Sequence, residues 1–178
     1  MKYWTRNGCC LAIACFALTL GLSSEATAGS GGVDPRASVA GSRAKLSNGI
    51  AIPPREAPPR VVRAIRAANR IVKNRPYCYG GGHGRWQSRC YDCSGSVSYA
   101  LGKPGAGLLS APMASGGLAG FGKRGRGRWI TVYANGGHAY AVIAGLRLDT
   151  SMTAGDGPGW SAQQRSSRGF AVRHPAGL

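Results

Sequence analysis

The chain has 178 residues, with 23 Lys and Arg against 6 Asp and Glu, a formal charge of +17, 29 glycines and 6 cysteines. So basic a chain is drawn to polyanions such as nucleic acid, acidic membrane surfaces or an anionic polymer, and its scarcity of carboxylates argues against paired-carboxylate glycoside hydrolysis. The length suits one domain with a sizeable core, not two.

Residues 1–28 read as a secretory signal: Lys2 and Arg6 form a basic start, Cys9 to Leu22 an apolar core, and Ala26-Thr27-Ala28 a small-residue cleavage site. A lipid-anchored reading through Cys15 fits less well, because Ala12-Ile13-Ala14 is a poor match and the apolar core would be cut short. No stretch reaches the roughly 20 apolar residues of a membrane-spanning helix. The mature chain is therefore expected to be secreted or periplasmic, without a transmembrane anchor. Without Lys2, Arg6 and Glu25 it keeps 21 basic and 5 acidic residues, a charge of +16, and its carboxylates are Asp34, Glu56, Asp92, Asp149 and Asp156.

Residues 29–59 read as a leader. Gly29 to Ile52 is rich in Gly, Ser and Ala without a helical or strand period, the pattern of a flexible segment, and the prolines from Pro53 to Pro59 extend it stiffly. The domain is expected over 60–178. From Arg60 to Arg75, Val61, Ile65, Ala68 and Val72 fall on one helical face and Arg63, Arg66, Arg70 and Lys73 on another, read as a solvated stripe. Pro76 forbids much continuation beyond Asn74.

Pro76 to Arg89 is a loop with Tyr77, Tyr79, Gly80-Gly81-Gly82, His83 and Trp86. In Tyr91 to Leu101 (YDCSGSVSYAL), Cys93 stands before a short apolar run that Gly102 and Pro104 stop, which predicts a helix with the thiol in its first turn. The unpaired N–H groups and partial positive charge there favour a thiolate, although a lone cysteine is more often a small buried hydrophobe. Lys103 to Arg128 is Gly-rich and ends in GKRGRGR, and without interleaved aromatics for base stacking it reads as a solvated basic loop.

The second half reads as strands: 129–134, a turn at Asn135-Gly136-Gly137, 138–144, a reversal at Gly145-Leu146, 147–150, and a last strand over 170–174. Helices first and an antiparallel meander second make an α+β domain.

Three cysteines follow the signal. In an oxidising compartment an odd count suggests one bridge and one free thiol. Cys78 and Cys90 bracket a glycine-rich loop that can close without strain, and this pairing is preferred to Cys90 with Cys93, which would consume the helix-start thiol. A zinc site from Cys78, His83, Cys90 and Cys93 is the competing use of these residues; no metal or cofactor is expected. A nucleophilic thiol needs a base and an orienter. His174 lies near the C-terminus, His83 sits in a glycine loop, and His138 begins a strand whose neighbour carries Asp149. Cys93, His138 and Asp149 are thus the candidate constellation.

PYCYGGG, YDCSGSVSYAL and GGHAYAVIAGLRLDTS resemble, in order and approximate spacing, three motif blocks of the NlpC family of cell-wall cysteine peptidases. The resemblance implies a reduced papain-like fold and hydrolysis of amide bonds in peptidoglycan stem peptides, often between D-glutamate and diaminopimelate. It assigns Cys93 as nucleophile, His138 as base, Tyr77 as a helper at the oxyanion site and Asp92 as an acid near the substrate cleft; Ser94 and His83, the latter able to line a cleft or hold a turn, are further candidates for substrate binding. Where the family frequently has a histidine as third polar residue, this chain offers Asp149. Stem peptides are then the expected partners, with anionic cell-wall polymers drawn by charge and no specific nucleic acid. The alternative is a basic wall- or nucleic-acid-binding protein with a vestigial site.

Overall fold

A computed structural model describes residues 34, 36–152 and 156–178, so the expected signal segment lies outside the described residues. The described chain is a mixed α+β unit of three helices and eight strands in two sheets. The 13-residue helix α1 (Pro59–Ile71) starts on Pro59, whose missing N–H is lost at no cost in a first turn. It buries Val61, Ala64, Ile65 and Ala68. It ends earlier than the sequence suggested: Val72 is already extended and Lys73 takes a positive φ of 60°. Lys73 then donates to Asn48 O at 2.9 Å.

Helix α2 (Cys93–Leu101) is buried along its whole length. Its interior serines are satisfied locally: Ser96 donates to Cys93 O at 2.8 Å, and Ser98 both donates to Met113 O and accepts from Met113 N. Such pairing is what lets polar side chains sit in a core helix. Val97, Ala100 and Leu101 join Val61 and Ile65 of α1 in the main core.

The large sheet has the order β3-β8-β4-β5-β6-β7, every neighbouring pair antiparallel. Its strands are β3 (Lys123–Arg124), β4 (Ile130–Ala134), β5 (Ala139–Ile143), β6 (Leu146–Asp149), β7 (Gly159–Ser161) and β8 (Ala171–His174). Side chains alternate across a sheet: Ile130, Val132, Ala139, Ala141, Ile143 and Leu148 enter the core shared with the helices, and Thr131, Tyr133, Tyr140, Val142 and Arg147 stand on the other face. Tyr133 and Tyr140, paired across β4 and β5, stack there with centroids 4.6 Å apart.

Two readings are corrected. The leader is not without structure up to residue 59: β1 (Lys45–Ser47) and β2 (Ile50–Ile52) form an antiparallel hairpin, and Asn69 of α1 clamps Ala51 by accepting from its N–H and donating to its carbonyl. Ala51 and Ala57 are core residues, so the compact unit starts well before residue 60. Lys103 to Arg128 is likewise more than a solvated loop. It holds α3 (Ser115–Leu118) and β3, buries Ala106, Leu109 and Leu118, and is pinned by Arg63 donating to Gly105 O and Arg70 to Pro104 O. Those two arginines of the basic stripe therefore pack on a neighbour.

Candidate active site

Cys93 occupies the first position of α2, 8% exposed, and is the free cysteine among the described residues. The helix begins there because Asp92 caps it: Oδ1 accepts from Gly95 N at 2.7 Å. The same carboxylate accepts from Gly80 N at 3.1 Å and lies 3.0 Å from His83 Nε2, while Ser94 Oγ donates to Oδ1 at 3.2 Å. The glycine loop is thus tied to the helix start. Gly95 is required at this crossing, since a Cβ there would fall on Gly81 O.

Cys78 and Cys90 form a disulfide across this loop. The bridge takes two of the four side chains of the competing zinc reading, and among the described residues no group of three or more His, Cys, Asp or Glu side chains is arranged to hold a metal ion.

His138 enters from the β4–β5 turn, where Asn135 Oδ1 accepts from both Gly137 N and His138 N at 2.9 Å. β5 and β6 pair Ala141 with Leu148, and one further step in that register sets Asp149 beside Tyr140, on the face His138 shares two residues earlier. Asp149 Oδ1 stands 2.9 Å from His138 Nε2. With Nε2 so engaged, Nδ1 is the nitrogen left to exchange a proton with the thiol. Thr150, just past the end of β6, has no part in this contact.

The electrostatics follow from these neighbours. Burial pushes the Cys93 thiol up, but the hydrogen bond from His138, the Ala139 backbone N–H and the imidazolium charge outweigh it and lower its pKa below the ordinary value. The hydrogen bonds with Asp149 and then Cys93 overcome burial and raise His138 to about 9. Burial opposes ionisation of Asp149, yet its bonds to His138 and Ser151 N and the nearby cations bring it down to about 2. Each of the three groups is thus shifted toward its charged form: thiolate, imidazolium and carboxylate.

The sequence reading missed Arg165. It lies in the polar stretch between β7 and β8, and Nη1 donates to Asp149 Oδ2 at 3.2 Å and to Ser151 Oγ at 2.8 Å, with the guanidinium over Tyr140 and Phe170. Arg147 Nε stands 3.5 Å from the same oxygen. The pairing of β7 with β6, Gly159 opposite Asp149, brings the following stretch and Arg165 there, and no local pattern announces that.

A cleft of about 380 Å³ opens over Cys93, lined by Tyr77, Tyr79, His83, Asp92 and Ser94 on one side and by 114–116 and 136–137 on the other. Tyr77 is 41% exposed at its mouth, and burial, then the charges of Cys93 and Asp92, raise its pKa and keep the phenol protonated. All seven candidate side chains, Cys93, His138, Asp149, Tyr77, Asp92, Ser94 and His83, therefore lie in or directly behind one cleft edge. Residues 114–116, from the stretch before β3, form a wall the sequence did not assign. No protein-family model matches the chain, and a search of curated proteins finds no significant relative.

Proposed function

We propose that this chain is an exported cysteine hydrolase of NlpC type with a reduced papain-like domain, cutting amide bonds in peptidoglycan stem peptides. The observation that carries the reading is the contact series from Cys93 at a helix start, through His138, to a buried Asp149 at 2.9 Å, the nucleophile, base and orienter of acyl transfer. The disulfide is compatible with an oxidising compartment, and among the described residues no helix is long and apolar enough to cross a membrane.

The Cys93 thiolate attacks the amide carbonyl carbon and the carbonyl π pair moves to oxygen. The N–H groups of Cys93 and Ser94, at helical positions without an intrahelical acceptor, and the Tyr77 hydroxyl at the cleft mouth are the donors for that oxyanion. Imidazolium His138 gives its proton to the leaving nitrogen, the C–N bond breaks, and a thioester on Cys93 remains. Water then attacks the thioester, giving its proton to neutral His138, and the carboxylate leaves with the thiolate restored. Asp149 holds one tautomer and one ring orientation throughout. Tyr79, almost fully exposed, and His83 offer contact surface to the substrate.

Digestion of purified muropeptides, with the cut bond assigned by mass spectrometry, tests the proposal. Cleavage at a stem-peptide amide that disappears in Cys93→Ala is expected; undiminished cleavage by that variant, or binding without turnover that alkylation leaves unchanged, would sink it.

A further inference from the structure

A second concavity of about 390 Å³ lies on the sheet face turned away from α1 and α2 and is distinct from the cleft over Cys93. Arg43, Arg126, Arg128 and Arg165 line it, together with Trp129 and Tyr133, and no carboxylate does. Several of its cations are positioned by packing. The Arg43 guanidinium lies so close to Gly145 that a Cβ there would sit 2.9 Å from Cζ, and the segment is held by Ala44 N donating to Ala144 O at 2.8 Å. Arg128 stacks over the Trp129 ring at 5.4 Å. Arg165 is fixed by Asp149 and Ser151. Arg43, Arg126 and Arg128 have no acidic partner among the described residues; of the arginines lining the groove, Arg165 is the one that is ion-paired, with Asp149.

We propose that this groove binds the phosphate groups of a flexible anionic polymer that carries no bases. Guanidinium forks match phosphate oxygens in geometry and charge, and several converging on one groove suit a repeated anion better than a single ion. Base-bearing chains need aromatic faces on which to stack, and the two aromatics present, Trp129 and Tyr133, are each 6% exposed and covered by their neighbours. The groove shares no lining residue with the catalytic cleft, touches the Cys93 group only through Arg165 behind Asp149, and does not depend on the hydrolase reading.

The test uses the full chain, titrated with poly(glycerol phosphate) over a series of salt concentrations. Replacing Arg43, Arg126 and Arg128 together by Ala should weaken binding at least ~10-fold and flatten the slope of log affinity against log salt by about two, as expected for three lost phosphate contacts. A charge-matched control, Arg75, Arg85 and Arg89 to Ala, removes three cations from a different surface concavity and should cost less than about 3-fold if the groove, rather than net charge, does the binding. Equal losses in the two variants would overturn the proposal. So would tighter binding of an oligothymidylate with the same number of phosphates. If the triple variant does not fold, the single charge reversal Arg128→Glu should still weaken polymer binding, and an unchanged affinity there refutes the site. Cleavage of small soluble muropeptides should be the same in all folded variants, so loss of hydrolase activity and loss of polymer binding report on different parts of the molecule.

Discussion

Replacing Asp149 by Asn keeps the shape of the side chain and a hydrogen-bond acceptor for His138 while removing the charge. The interval between 6.5 and about 9 for His138, at 1.36 kcal/mol per pH unit, corresponds to about 3 kcal/mol favouring the imidazolium. Asp149 is the largest contributor and Cys93 the second, so the carboxylate supplies the larger share and its loss should reduce the thiolate–imidazolium pair about 10- to 100-fold. The rate of Cys93 alkylation by iodoacetamide as a function of pH reads this without any assumption about substrate. In the native chain the reaction should be fast well below the thiol's ordinary pKa; in Asp149→Asn the rise in rate should move up by one to two pH units, by the same arithmetic. Thr150→Val, just past the end of β6, should leave the profile in place. The substitution also strips the counter-charge from Arg147 and Arg165, so the comparison belongs at a temperature where circular dichroism shows both proteins folded. A folded Asp149→Asn with the native alkylation profile would refute the assignment of Asp149 as orienter.

Gly95→Ala should cost about 1–3 kcal/mol, because its Cβ would overlap Gly81 O, whereas Gly84→Ala, with nothing within 4 Å of its Cβ, should leave the urea midpoint nearly unchanged; equal midpoints would contradict the close crossing of loop and helix. Stability should depend on pH at both ends. Asp149, held at about 2, contributes fully above its ordinary 3.8 and its contribution is lost as pH falls toward 2; His138, raised to about 9, contributes fully below 6.5 and its contribution is lost as pH rises through 9. The denaturation midpoint should therefore be greatest between roughly pH 4 and 6.5, and a midpoint that climbs from pH 7 to 10 would contradict the raised imidazole. Peptide mapping of unreduced protein should find Cys78 joined to Cys90 and Cys93 alkylated, and reduction should lower stability by ~2–3 kcal/mol for a loop of this length; a bridge to Cys93 would overturn the pairing.

What could be read from the sequence is what local pattern controls. The stripe of Val61, Ile65 and Ala68 marked α1, the β-rich runs on either side of Asn135-Gly136-Gly137 marked β4 and β5, and Cys93 ahead of an apolar run stopped by Gly102 and Pro104 marked a helix with a thiol in its first turn, though not its Asp92 cap. The rest is decided at a distance. The β1–β2 hairpin is three residues per strand and is held by Asn69, 18 positions away from Ala51, so no periodicity of its own reveals it. The stretch before β4 is ordered by Ser98 gripping Met113 and by β3 pairing with β8, some 50 residues later. Arg165 could not be told from the other exposed arginines around it, because its role depends on β7 closing the sheet edge next to Asp149.

On the proposed hydrolase reading, the site rather than overall stability accounts for where this basic chain buries its carboxylates. Asp34, Glu56 and Asp156 are exposed, while Asp92 and Asp149 are 6% and 1% exposed. Burying a carboxylate costs several kcal/mol unless donors surround it, and each of these two is met by four or more polar or cationic groups. They sit on either side of Cys93 and do different things. Asp92 fixes where the helix starts, and hence where the sulfur and the first-turn N–H groups stand; Asp149 fixes the ring that exchanges a proton with that sulfur. Losing Asp92 would displace the thiol with the first-turn N–H groups, whereas losing Asp149 would leave the thiol in place and raise its pKa. On the proposed hydrolase reading the desolvation of both acids serves one centre, Asp92 through the helix start and the loop it ties down, Asp149 through the ring beside the thiol.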